Sequence, residues 1–188
     1  MSNTKYTYAV ARIRALEVSL FNDAFIEQLL SLGTAEQVLQ AVMEKGWGDV
    51  SADSSMDAVL KREEEKAWEV IRDVAPDMSV FDVMSYPKLY HNLKAAVKEV
   101  YTRSGREGIF YDDCSIPGRE MLRIVENREF SKLPGDMGRT AQEALEILLH
   151  TGDGQLCDIT VDRAALEAMY AAGKRSGEPI IESYADTT

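Results

Sequence analysis

The chain has 188 residues, a formal charge of −11, a pI near 4.7 and 45% hydrophobic residues. Its length fits one domain or two small ones, and a chain of this size buries roughly 70% of the surface its unfolded form exposes, which excludes general disorder. The acidity excludes a protein whose main task is gripping phosphate backbones, and it suits basic or neutral partners.

No proline occurs before Pro76, and helix signals dominate that stretch. Apolar side chains at Tyr8, Ala11, Ala15, Val18, Phe25 and Leu29 predict one long helix from about Tyr6 to Leu32, with Gly33 as its C-terminal cap. Thr34-Ala35-Glu36-Gln37 is a capping box for the next helix, which Gly46-Trp47-Gly48 stops. After a polar loop at Ser51 to Ser55, apolar residues recur at three- and four-residue spacing from Met56 to Val74, and Pro76 closes that helix. The run Glu63-Glu64-Glu65 reads as a solvated helix face. Ser79 and Asp82 can start a short helix, and Pro87 fits the first turn of another carrying Tyr90, Leu93, Val97 and Val100 on one face.

Gly108 to Tyr111 is the best strand candidate but is too short to carry weight. Ser115-Ile116-Pro117 starts a helix with Met121, Leu122 and Val125 inward; Pro134-Gly135-Asp136 is a turn, and Thr140 to Glu143 reads as a second capping box. Beyond the loop Gly152-Asp153-Gly154, a helix is predicted from Thr160 to Ala172, ended by Gly173. The fold class is all-α, an array of short and medium helices.

Familiar chemistry is absent. Gly173-Lys174 is the one Gly-Lys pair, with Ala168 where a phosphate-cradling loop needs its first glycine and Arg175 where it needs a hydroxyl. His91 and His150 lie on separate helices without a His or Cys partner at metal spacing, and His150 reads as an exposed or helix-terminal side chain. Asp112-Asp113 reads as loop and capping charge. Cys114 and Cys157 lack disulfide or zinc spacing and are expected to be ordinary reduced thiols of a cytosolic protein. The longest apolar run, Ala168 to Ala172, is far short of the roughly 20 residues that span a bilayer, and no secretory peptide is visible. No catalytic, cofactor or metal site is expected.

Three segments carry a resemblance. Tyr6 to Glu17, with Arg12 and Arg14, resembles the opening of the C subunit of V-type (A/V-type) ATPases and ATP synthases, which is similar to the d subunit of eukaryotic V-ATPases. Tyr90-His91-Asn92-Leu93-Lys94 looks like that family's D-x-H-N-L-K helix, with Leu89 where the family has its aspartate. Ile159 to Arg163, and later Tyr184-Ala185-Asp186, resemble the middle of the family's chain. The resemblance implies part of an all-helical, funnel-shaped subunit of three similar subdomains, divided here at about 1–104 and 105–188 with the second incomplete. At about half the family's usual length, a truncated or shortened member is expected.

The implied role is mechanical: a non-catalytic central-stalk subunit, cytoplasmic and peripheral to the membrane, joining the rotor shaft to the membrane proteolipid ring for ion transport. An unrelated helical adaptor and a small helical hydrolase are the rival readings. For Arg12, Arg14 and Glu17, local pairing is expected ahead of partner contacts, since Arg14 and Glu17 stand three residues apart. For His91, Asn92 and Lys94, an asparagine inside a helix points to a hydrogen-bonding task, with helix packing and docking on a partner equally open.

Overall fold

A computed structural model describes residues 6–49, 55–106 and 108–187. Its described residues form nine α-helices and no strand. They are α1 (Thr7–Glu17), α2 (Asp23–Leu30), α3 (Ala35–Glu44), α4 (Met56–Val74), α5 (Tyr86–Thr102), α6 (Gly118–Glu126), α7 (Met137–Thr151), α8 (Gly154–Ser176) and α9 (Pro179–Thr187). Short 3-10 helices at Ser79–Ser85 and Phe130–Lys132 lead into α5 and α7. The chain divides into two compact units, Met1–Met78 and Ser79–Thr188. The division expected at 104/105 falls inside the second unit, in the loop after α5, because α5 packs its apolar face against α6, α7 and α8.

In the first unit, the single helix expected from Tyr6 to Leu32 is two helices. The break has a local cause: Asn22 adopts an extended backbone and its side chain accepts from the Phe25 amide at 2.9 Å, capping α2 afresh. The freed Phe21 stacks on Trp47 at 4.1 Å and meets the edge of Phe25 at 4.7 Å. Gly33 is not the cap of α2, whose C-cap is Ser31; its amide donates to Gln37 Oε1 instead. The Thr34 capping box is present, with Thr34 and Gln37 each accepting from the other's amide. Glu63 departs from the solvated-face reading. It accepts from the Gly48 amide at 2.8 Å and from Lys66 at 2.6 Å, while Lys66 donates to the Gly48 carbonyl, so the α3–α4 turn is clamped onto α4. The polar loop read at Ser51 to Ser55 lies outside the described residues except for Ser55, which caps α4.

The second unit holds the larger core. Leu93, Ala96 and Val97 of α5 pack with Met121 and Val125 of α6, Met137, Ala141, Ala144 and Leu148 of α7, and Cys157 and Val161 of α8. Two helices start earlier than their sequence signals. Thr140 is not a cap but a buried residue one turn into α7, its hydroxyl donating to the Asp136 carbonyl at 3.2 Å. The Asp153 side chain caps α8, accepting from the Gln155 amide at 2.9 Å and the Leu156 amide at 3.0 Å, which moves that start well before Thr160. Gly173 does not stop α8. It is buried where α9 crosses, and a Cβ there would lie 2.6 Å from the Ala185 Cβ; the helix ends at Gly177, whose φ is +65°. The Gly108 to Tyr111 segment is loop, not strand.

Candidate functional site

Of the residues that carry sequence-level meaning, His91, Asn92 and Lys94 lie on α5, the first two turned to the α5–α6 loop and the third to α8. Asn92 is fully buried, and a side-chain amide carries two donors and an acceptor that burial obliges the fold to satisfy. It does so across the loop between α5 and α6. Asn92 Oδ1 accepts from the Tyr111 amide at 2.8 Å, and Nδ2 donates to the Tyr111 carbonyl at 2.7 Å. The same Nδ2 lies 3.1 Å from Cys114 Sγ and 3.3 Å from the Ile116 carbonyl. One side chain thereby mimics a strand partner for Tyr111.

His91, on the adjoining side, places Nε2 at 2.8 Å from the Ile109 carbonyl; since a carbonyl only accepts, Nε2 carries the proton. Its ring meets Tyr111 edge-on at 5.0 Å. The loop closes on α6, where the Gly118 amide donates to the Tyr111 carbonyl and a Cβ on Gly118 would fall 2.1 Å from the Phe110 Cβ. Lys88 adds an ion pair to Asp113 at 2.6 Å. Burial pushes the Cys114 thiol above its ordinary pKa, which keeps it a thiol that donates to the Ile116 carbonyl at 3.2 Å.

Lys94 points the other way, to α8, and pairs with Asp162 at 2.6 Å. One helical turn on, Lys98 pairs with Asp158, 2.6 Å from Oδ1 and 2.8 Å from Oδ2. The order of the rungs, 94 with 162 and 98 with 158, sets α5 and α8 antiparallel. The second and third segments that carry the resemblance therefore meet in space through Lys94 and Asp162. Sequence reading missed the Lys98–Asp158 rung, although a signal was present: two lysines four apart on one helix and two aspartates four apart on another.

The first segment lies in the other unit. Arg14 and Glu17 form the expected pair at 2.8 Å on exposed surface, while Arg12 is exposed and has no ion pair among the described residues. His150 is exposed, with Nδ1 at 2.8 Å from the Glu146 carbonyl. Among the described residues, no three His, Cys, Asp or Glu side chains are grouped to hold a metal ion, and no helix is long and apolar enough to cross a membrane. Chemically, the cluster on α5 is a fastener: His91, Asn92 and Lys94 each close on a neighbour in the fold.

The sequence model of the ATP synthase (C/AC39) subunit family matches residues 9–188. The chain belongs to that family. Among curated proteins it is similar to the C subunit of the V-type sodium ATPase of Enterococcus hirae, 22% identical over 170 residues, which is 89% of this chain and 52% of that protein. The chain thus spans about half the length of the curated relative it matches. No solved structure matches. In this C/AC39 chain Leu89 is buried against the core of the second unit.

Proposed function

We propose that this chain is a non-catalytic, central-stalk coupling component of a rotary V-type ATPase or ATP synthase, standing between rotor-shaft subunits and the membrane proteolipid ring and serving ion transport. The observation that carries this reading is the family match across residues 9–188. The geometry is compatible with it: transmitting torque calls for a stiff body, and in the second unit ion-pair rungs and a buried asparagine bind α5 to α8 and to the α5–α6 loop. On this reading the protein is peripheral to the membrane, held there by protein contacts, and its acidity does not draw it to anionic lipid.

Affinity purification of the protein as its own cell expresses it tests the reading. Recovery of rotor-shaft and proteolipid-ring subunits together supports it. Recovery of neither, from a preparation in which the rest of the motor is intact, rejects it.

A further inference from the structure

Among the described residues, α9 is the α-helix of the second unit in which no side chain is buried, and its Ile180 is 77% exposed. It nevertheless packs on two elements, α8 and the 3-10 helix Ser79–Ser85. Each of these carries an apolar residue that is only 2% exposed and stands outside the main core of the unit, Met169 on α8 and Val83 on the 3-10 helix. Gly173, one helical turn beyond Met169, lies directly under Ala185 of α9. A helix that buries nothing of its own therefore lies over a small apolar patch that the core does not include.

The corner between α8 and α9 turns on Gly177, whose φ is +65° and where no atom stands within 4 Å of the place a Cβ would occupy. The Ser176 hydroxyl spans that corner, donating to the Gly173 carbonyl at 2.6 Å and accepting from the Glu178 amide at 3.2 Å. Lys174, before the corner, reaches Glu182 at 3.2 Å and Asp186 at 3.6 Å, one turn apart on α9. These three side chains are 43%, 34% and 46% exposed, so salt screens both pairs. What opposes a swing of α9 away from α8 is then the small apolar patch and the Lys174 pairs, and one glycine can absorb the change of direction.

We propose that α9 is a hinged cover: it opens as a unit about Gly177 while α5 to α8 stay folded, with Lys174 as its latch. Opening bares the patch of Val83 and Met169. The assignment rests on the second unit's geometry alone and does not depend on the rotary-ATPase reading.

The test follows amide hydrogen exchange, and oxidation of methionines by hydrogen peroxide, both by peptide mass spectrometry on the 188-residue chain. The α9 amides should exchange together and faster than those of α5 and α6. Lys174→Gln should speed them about threefold, the effect of losing exposed ion pairs. About 1 M sodium chloride should do the same to the wild type and add nothing in Lys174→Gln. Gly177→Ala strains the corner without disturbing its packing and should speed α9 by about fivefold or more. In both variants Met169 oxidation should rise with α9 exchange, while Met121 and Met137 in the main core stay protected. Four results overturn the proposal: α9 exchange no faster than that of α5, exchange that fades inward from Thr187 as end fraying does, an α9 rate indifferent to both salt and Lys174→Gln, or a Met169 that stays as protected as Met121 when α9 exchanges faster.

Discussion

Asn92→Ala removes the buried side chain that bonds the α5–α6 loop from within the core. Two short bonds to Tyr111 are lost, at 2.7 and 2.8 Å, with the weaker reach to Ile116. A net hydrogen bond contributes about 1 kcal/mol, and a buried group left unpaired costs about 1–3 kcal/mol. The vacated volume adds about 1 kcal/mol at a fully buried position. Tyr111 is itself exposed, so its amide and carbonyl recover water when the loop lifts, which favours the lower end. The expected loss is about 3 kcal/mol from a total of about 5–15 kcal/mol. Asn92→Asp should cost at least as much, since a carboxylate keeps the acceptor but turns an anion towards the Tyr111 and Ile116 carbonyls.

Urea unfolding followed by far-UV circular dichroism measures the loss. Both tryptophans, Trp47 and Trp68, lie in the other unit and do not report on it. With a urea slope of about 1–3 kcal/mol/M, the midpoint should fall by about 1–3 M. A second signal is local: Cys114 is half-buried beside Asn92 and Cys157 is fully buried, so one thiol per chain should react faster in Asn92→Ala. A midpoint shift worth less than about 1 kcal/mol, together with unchanged Cys114 reactivity, would refute the fastener account.

The Lys94–Asp162 rung is partly exposed, so a double-mutant cycle of Lys94→Ala with Asp162→Ala should give a coupling of only about 0.5–1 kcal/mol, shrinking in about 1 M salt; a salt-independent coupling argues against this. Gly118→Ala should destabilise by about 1–3 kcal/mol or more, because its Cβ would overlap Phe110, and thermal unfolding checks it. Gly173→Ala should raise amide exchange across α9 while leaving α5 and α6 protected, since its Cβ would meet Ala185. The Glu99 carboxyl is held below its ordinary pKa, first by the Ser104 hydroxyl at 2.6 Å and then by the Gly105 amide at 2.7 Å. Because the folded value is depressed, its stabilisation is complete above the unfolded pKa and is lost as pH falls through the folded one. Carboxyl NMR titration should show Glu99 moving up in Ser104→Ala, and an unmoved midpoint refutes the assignment.

The helices of the second unit were legible because their apolar residues recur at helical spacing over segments long enough to average out local noise. Their ends were less so. Glycine reads as a stop signal in sequence, but at Gly173 its smallness serves a helix crossing, and only the position of α9 reveals that. In the first unit, apolar residues on both sides of Asn22 preserve the helical period, while a single capping bond breaks the helix between them. Asn92 was legible as a hydrogen-bonding residue from its poor helix propensity. Its partners were not, because Tyr111 and Ile116 lie 19 and 24 positions away and offer only backbone atoms, which carry no sequence signal.

The internal use of the motif bears on where partners can dock. Asn92 is closed on the loop, His91 on the Ile109 carbonyl and Lys94 on Asp162, so the side chains that carry the family resemblance in α5 are engaged inside the second unit. On the proposed reading, a variant of Asn92, which is fully buried, is expected to act on assembly through folding. That gives a discriminating expectation. Recovery of partner subunits with Asn92→Ala should track the folded fraction, falling near its unfolding midpoint and returning towards wild type in a stabilising osmolyte. A variant at a docking residue would stay impaired in the osmolyte while fully folded. Persistent loss of partners with folded Asn92→Ala would place the docking surface at the α5–α6 loop and overturn the division between fastener and interface.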